Sequence, residues 1–160
     1  MNKRVKGTLS GNGLRIGIVV SRFNSEITDG LLRGAMRALI ASDVNEKDIM
    51  TIEVPGAFEI PFALDLLASG KNYDALIALG CVIKGETAHF EYISDSAMRG
   101  IIKVGHKYGT SVSCGLLTTY MEEQAIARSG ENDENKGSEA AFTAIEMANL
   151  ARLLKEKINS

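Results

Sequence analysis

Residues 75–92 read ALIALGCVIKGETAHFEY, an apolar segment that passes through a glycine turn into a helical pattern. The nine residues 75–83 are almost entirely apolar, which is typical of a parallel strand covered by helices on both faces. The turn at Lys84–Thr87 and the spacing of apolar residues from Phe90 to Tyr108 predict a helix directly after this strand. A strand that runs into a helix is the repeating unit of an α/β fold.

The same unit recurs along the chain. Apolar segments at Ile16–Val20, Ile49–Val54 and Val112–Leu117 are each followed by a turn and a helical pattern. These segments are nearly continuous in apolar residues and do not alternate, so both faces of the sheet should be buried. We predict the α/β class, with a doubly wound, four-stranded parallel sheet inside a three-layer αβα sandwich.

Helix boundaries are also visible in the sequence. The first helix should start near Glu26, and the second should start after Gly56, carry Pro61 in its early turns and stop at Gly70. A long alanine-rich helix is predicted from Ser138 to Lys157. Its small residues suit close packing, either on its own sheet or on a neighbouring subunit.

The segment Arg4–Leu9 alternates Val5, Gly7 and Leu9 ahead of a Gly-Asn-Gly turn, which predicts a short extra strand. A terminal strand pairs as readily with the edge of another subunit's sheet as with its own. The sequence leaves these two alternatives open.

Length and composition restrict the class of protein. A chain of 160 residues predicts one domain, residues 1–160. The net charge of −2 argues against a nucleic-acid partner. We expect a cytoplasmic protein without a membrane partner, because the basic start lacks an apolar signal core and no later apolar segment could span a bilayer. Cys81 and Cys114 both lie in strand-like segments, so we expect two buried free thiols.

His89 and the turn before it are the strongest candidate for chemistry. Gly85, Glu86 and Thr87 should stand at a helix N-terminus, where backbone N–H groups and the helix dipole favour an anion such as phosphate. His89 should lie one turn inside that end, where the dipole disfavours imidazolium and so suits the ring to proton transfer. The alternative is an ordinary turn with a polar cap.

The exits of the first two strands carry unusual residues as well. Phe23 follows the first strand, and Ala57, Phe58 and Glu59 follow the second. Ligands of open parallel sheets bind at the carboxyl ends of the strands, so these exits should share one cleft with His89. Phe23 could stack on a flat heterocycle, or it could fold back onto its helix as a hydrophobic staple.

Several common sites are absent from the sequence. The turn at Gly85 lacks the Gly-Lys-Ser/Thr ending of a P-loop, and no Gly-x-Gly-x-x-Gly motif follows a strand. His89 and His106, the only histidines, stand far apart on one predicted helix, so we expect no metal site. Arg128 and Lys136 flank a polar loop, which by itself indicates only solvated charges.

Four separated motifs, in order and at the right spacing from about Leu9 to about Leu150, resemble lumazine synthase. The sequence motifs that carry the resemblance are IGIVVxRFN from Ile16, VPGAFEIP from Val54, GxVIxGxTxHFxY from Gly80, and QAxxRxG from Gln124 followed by Asn135-Lys136-Gly137.

The resemblance implies condensation of 5-amino-6-(ribitylamino)uracil with 3,4-dihydroxy-2-butanone 4-phosphate to 6,7-dimethyl-8-ribityllumazine, the penultimate step of riboflavin synthesis. This is a transferase-class activity that needs no cofactor and no metal. The resemblance also implies a flavodoxin-like fold and a homopentamer with active sites between subunits, built in some members into a sixty-subunit capsid. Riboflavin synthase is a candidate partner.

The resemblance also implies a role for each candidate residue. His89 would transfer protons, and Phe23 would stack on the uracil ring. Contacts to the ribityl chain, the ring edge and the pyrimidine would come from Ala57, Phe58, Glu59, Cys81, Val82 and Ile83. The phosphate would be bound by Gly85, Glu86, Thr87 and Arg128.

Two positions depart from the family pattern. Members commonly carry an aromatic residue where this chain has Cys114, and that residue lines the ring pocket from a neighbouring subunit. The loop Glu131–Glu134 is more acidic than usual, so Lys136 has two alternatives: contact with the substrate or pairing with those carboxylates. Two rival functions also fit the scaffold, a flavin- or lumazine-binding protein without catalysis and a structural shell protein.

Overall fold

The computed structural model describes residues 2–160, and its centre is a four-stranded parallel sheet. The strands are β1 (Ile16–Ser21), β2 (Ile49–Val54), β3 (Ala75–Ile83) and β4 (Ser111–Thr119). Their order is β2-β1-β3-β4, and every neighbouring pair is parallel. The predicted three-layer, flavodoxin-like α/β fold is therefore confirmed.

Five α-helices connect and cover the described strands. They are α1 (Ser25–Ala41), α2 (Ile60–Ser69), α3 (His89–Tyr108), α4 (Glu122–Ala127) and α5 (Lys136–Asn159). Helix α2 carries Pro61 in its first turn and ends before Gly70, as predicted. Helix α5 begins and ends two residues beyond the predicted bounds. No helix within residues 2–160 has the length and apolar character needed to cross a membrane.

Each face of the sheet has its own apolar core. Helices α1 and α5 cover one face, where Ile18, Leu31 and Ile145 are fully buried. Helices α2 and α3 cover the other face around residues such as Leu64 and Ile101. Each such side chain contributes about 1.5–3 kcal/mol relative to leaving it exposed in water. The strands are buried on both faces, which explains their continuous apolar sequences.

The first turn of α5 packs very closely on α1. A Cβ atom added to Gly137 would overlap the carbonyl oxygen of Leu31, so only glycine allows this approach. Ala140, Ala141 and Ala144 continue the buried face along the helix. Of the two alternatives for the alanine-rich helix, close packing within the same chain is therefore observed.

The predicted N-terminal strand does not form within the single chain. Residues 2–9 have no strand assignment, and the side-chain amide of Asn149 donates hydrogen bonds of 2.9 Å to the carbonyl oxygens of Thr8 and Ser10. Gly7 is buried against the backbone of α5 at Glu146 and Leu150. Pairing of this segment with a neighbouring subunit stays a prediction.

Candidate active site

The carboxyl ends of β1, β2 and β3 open into one cavity of about 540 Å³, here called the strand-exit cleft. It brings together residues that are far apart in sequence, as the open-sheet rule predicts. Its lining is Phe23, Pro55, Gly56, Ala57, Phe58, Glu59, Cys81, Val82, Ile83, Gly85, Thr87, His89, Phe90 and Ile93.

Phe23 is held at the mouth of this cleft by its backbone. Its N–H donates to the carbonyl oxygen of Pro55 at 3.1 Å, and the N–H of Arg22 donates to Val54 at 2.8 Å. The side chain of Phe23 is 71% exposed, so it does not pack back on α1 as a staple. The exposed ring is free to stack on a flat ligand.

Asn24 is a site residue that the sequence reasoning missed. It adopts a left-handed conformation with φ 61°, which asparagine tolerates better than most residues. Its side-chain amide donates a hydrogen bond of 3.0 Å to the carbonyl oxygen of Cys81. Asn24 thereby connects the exits of β1 and β3 and fixes the turn that carries Phe23.

The exit of β2 forms a short 3-10 turn over Ala57–Glu59. Ala57 is buried, Glu59 is half-buried and the ring of Phe58 is exposed. The turn therefore offers one apolar surface, one carboxylate and its backbone groups to the cleft.

The exit of β3 contributes mainly its backbone. Cys81 is 2% exposed, which confirms the expected buried thiol. Burial raises the pKa of the Cys81 thiol to about 11, so the side chain stays neutral near pH 7 and supplies no nucleophilic thiolate. Val82 and Ile83 are half-buried and form the floor of the cleft with Cys81.

His89 is the first residue of α3, so the prediction that it lies one turn inside the helix was wrong. The helix starts late because Lys84–Ala88 form a loop, in which Gly85 and Thr87 line the cleft. The N–H of His89 contacts Thr87 Oγ1 at 3.4 Å, and the imidazole is exposed. Glu86 is exposed on the same loop but is not part of the cleft lining.

Arg128, Lys136 and Cys114 line a different cavity of about 470 Å³ beside the edge strand β4, here called the edge pocket. Arg128 follows α4 directly and donates from Nη1 to the carbonyl oxygen of Gln124 at 2.9 Å. Thr119 also lines this pocket, and its buried Oγ1 has no hydrogen-bond partner within residues 2–160. No pattern in the sequence singles out Thr119.

Two expectations about the edge pocket change. Cys114 is exposed and not buried, because β4 is the edge strand of the sheet and only part of the surface of β4 is covered. The Sγ atom of Cys114 lies 3.5 Å from Met98 Sδ. Lys136 forms a salt bridge with Glu139 and not with the acidic loop. The Glu131 carboxylate of that loop instead pairs with Arg37 at 3.1 Å.

The chain matches a known protein family. Residues 13–152 match the sequence model of the family described as 6,7-dimethyl-8-ribityllumazine synthase. The chain belongs to this family.

The lumazine synthase match covers 140 of the 160 residues, counted from 13 to 152, and includes all four strands. Phe23, His89, Arg128 and Lys136 all fall inside it. The family is one of enzymes in riboflavin biosynthesis, which agrees with a cleft that combines an exposed aromatic ring with an accessible histidine.

Neither cavity of this lumazine synthase family member contains a metal-binding cluster. Within residues 2–160, no three His, Cys, Asp or Glu side chains come together as metal ligands. The polar side chains that line the two cavities include the imidazole of His89, the carboxylates of Glu59 and Glu139, and the cations Arg128 and Lys136.

Proposed function

We propose that the protein condenses 5-amino-6-(D-ribitylamino)uracil with 3,4-dihydroxy-2-butanone 4-phosphate to form 6,7-dimethyl-8-ribityllumazine. The family match over residues 13–152 carries this proposal. The strand-exit cleft supports it, because its lining offers groups of the types that could bind a flat uracil, a polyol chain and a phosphate.

The uracil ring binds against Phe23, whose exposed face is fixed at the mouth of the cleft. Offset stacking of such rings contributes about 0.5–1.5 kcal/mol beyond the burial of area. Backbone groups of Cys81, Val82 and Ile83 bind the pyrimidine edge. The turn over Ala57–Glu59 takes the ribityl chain, with the Glu59 carboxylate accepting from hydroxyl groups.

The phosphate binds at the loop before α3. Gly85, Glu86 and Thr87 contribute backbone and hydroxyl groups there, and the N-terminus of a 20-residue helix adds positive potential. The lining of the cleft contains no arginine or lysine, and Lys84 on the same loop is paired with Glu91 at 3.0 Å, so a phosphate dianion lacks a free countercharge among the residues that line the cleft.

Arg128 supplies that countercharge from a second copy of the chain. In one copy it lines the edge pocket and not the cleft, together with Cys114 and Lys136. Packing the edge pocket of one subunit over the cleft of the next completes the site. The assembly is therefore a homo-oligomer with shared sites, in the pentameric or capsid form that the family resemblance implies.

His89 transfers the protons of the reaction. The 5-amino group attacks the ketone and forms a Schiff base with loss of water, phosphate then leaves by elimination, and ring closure releases a second water. Each step moves a proton near the phosphate, where the exposed imidazole stands. Most of the rate acceleration comes from holding the two substrates together, and acid–base catalysis adds roughly 10²–10⁴-fold.

Mixing the two substrates with the purified protein tests the proposal. Formation of the lumazine is followed by its absorbance and fluorescence, with the uncatalysed reaction as the baseline. A folded protein that binds the product but leaves this rate unchanged would favour a lumazine-binding role. A protein that assembles without binding or catalysis would favour a shell protein.

A further inference from the structure

Asn135 is one of the most highly connected side chains in the molecule, although it lies outside both cavities. It is 1% exposed and stands immediately before α5. Its Nδ2 donates to the carbonyl oxygens of Gly30, Ser129 and Gly130 at 3.1, 3.0 and 2.9 Å. Its Oδ1 accepts from the N–H groups of Gly137 and Ser138 at 2.9 and 3.0 Å.

These five hydrogen bonds join three separate parts of the fold. They connect the middle of α1, the loop after α4 and the first turn of α5. Glycine permits the close approach on α1, because a Cβ at Gly34 would overlap the Asn135 side chain and a Cβ at Gly30 would overlap the Ser129 carbonyl oxygen. The amide therefore has a fixed place against a buried helix.

Arg128 and Lys136 stand at the two ends of the loop that Asn135 holds. The N–H of Lys136 donates to the carbonyl oxygen of Arg128 at 2.8 Å, which fixes the two backbones relative to each other. Their side chains are held only by local, exposed contacts, with Gln124 and Glu139 respectively. The backbone beneath them thus decides where the two positive charges stand.

We infer that Asn135 is a positioning residue for the cationic pair Arg128 and Lys136. The inference rests on the proposed function, in which Arg128 binds the phosphate of the second substrate. An amide has two N–H donors, which the three carbonyl oxygens share, and an oxygen that accepts from both backbone N–H groups. An aspartate would still accept hydrogen bonds from the two N–H groups of α5, but its carboxylate oxygens would face the three carbonyl oxygens. A serine would keep only a short side chain that can cap the N-terminus of α5.

The test compares Asn135→Ser and Asn135→Asp with Ser138→Ala. Ser138 Oγ donates to the carbonyl oxygen of Gly34 at 3.0 Å, so the control loses a contact between the same two helices without touching the loop. We expect both Asn135 variants to raise KM for the butanone phosphate about tenfold, with kcat at saturation within about twofold of wild type. Ser138→Ala should leave both constants within about twofold. If Asn135→Ser does not fold, Asn135→Asp carries the test, because its acceptor still caps α5.

A double-mutant cycle separates positioning from a general loss of structure. In the Arg128→Ala background, Asn135→Ser should change KM for the butanone phosphate by less than about twofold, because the phosphate-binding member of the cationic pair is gone. An undiminished tenfold effect in that background, or a fall in kcat without a change in KM, would overturn the inference.

The amide exchange of the loop gives an independent readout. Both Asn135 variants should speed hydrogen exchange at residues 128–138 more than Ser138→Ala does, and equal exchange in all three variants would also overturn the inference. If the wild-type protein forms no lumazine, only the proposed function is refuted. The exchange measurement still decides whether Asn135 holds the loop, because it does not depend on activity.

Discussion

In the proposed function, the strand-exit cleft and the edge pocket contribute different parts of one binding site. The cleft is mainly apolar and aromatic, and its polar groups are mostly backbone atoms at the ends of rigid strands. The edge pocket carries its two cations, Arg128 and Lys136, at the ends of the loop between α4 and α5. In this proposal the sheet determines the shape of the site and the orientation of the substrates. The positive charge comes from a loop whose backbone is held by separate contacts. Substitutions in the cleft and in the edge pocket should therefore change different kinetic constants.

The largest expected effect is on the cleft side, at His89. His89→Ala should lower kcat by roughly 10²–10⁴-fold, because it removes the proton-transfer group. KM for the butanone phosphate should change little, since the phosphate contacts remain. His106→Ala is the matched control, because this second exposed histidine lies near the other end of α3. Steady-state kinetics with both substrates decide the matter, and unchanged turnover would remove His89 from the mechanism.

The next largest effect is expected in the edge pocket, at Arg128. Hydrogen bonds to charged groups contribute about 1.5–3 kcal/mol, so Arg128→Ala should raise KM for the phosphate substrate roughly 10- to 150-fold. Saturating kcat should stay near the wild-type value. Arg37→Ala is the control, because Arg37 pairs with Glu131 on the same loop and faces no cavity assigned to substrate. An unaltered KM would show that the phosphate binds elsewhere.

A smaller effect is expected at Phe23 and should concern the other substrate. Phe23→Ala removes the stacking surface, so KM for the aminouracil should rise about two- to tenfold while KM for the butanone phosphate stays constant. Phe62→Ala is a matched control, because Phe62 is also 71% exposed but lies on α2 outside the cleft. Equal changes in both KM values would contradict the division between the two regions.

The smallest effect distinguishes the two regions by thiol chemistry and is measured without turnover. Burial raises the pKa of both thiols, that of Cys81 to about 11, but Cys114 is exposed in the edge pocket, whereas Cys81 is buried under the cleft. A thiol reagent at pH 8 should modify Cys114 in dissociated, folded subunits and Cys81 only after unfolding, because Cys81 is buried and its thiolate requires a pH near 11. Raising the pH toward 9 should speed the reaction at Cys114 without exposing Cys81. Mass spectrometry of the labelled peptides measures this, and labelling of Cys81 first would contradict the structure.

The cleft could be predicted from the sequence to a large extent. Parallel strands bring their carboxyl ends to one edge of the sheet, so the sequence predicts that Phe23, Glu59 and His89 lie together. The start of α3 could not be placed correctly, because the Lys84–Ala88 loop has no side-chain cap at Ala88 to mark its end. Asn24 was missed because a left-handed residue is a property of the backbone that a single asparagine does not reveal.

The edge pocket was much less predictable. The local sequence around Arg128 and Lys136 indicates only solvated charges. The resemblance to the lumazine synthase family is what identifies these two residues as candidates for the site. Cys114 was wrongly expected to be buried, because the sequence of β4 does not show that it is the edge strand. Strand order depends on which helices cross which face, and no local pattern in residues 111–119 carries that information.

The position of Gly7 against α5 has a practical consequence for engineering. Gly7 and Thr8 contact the part of α5 near Asn149, which is close to the ends where the strands begin. At about 3.3 Å per residue, the nine residues of β3 place this point roughly 30 Å from the strand exits. A reporter or affinity peptide joined ahead of Gly7 would therefore emerge away from the cleft, whereas one inserted in the loop at residues 131–134 would sit beside Arg128.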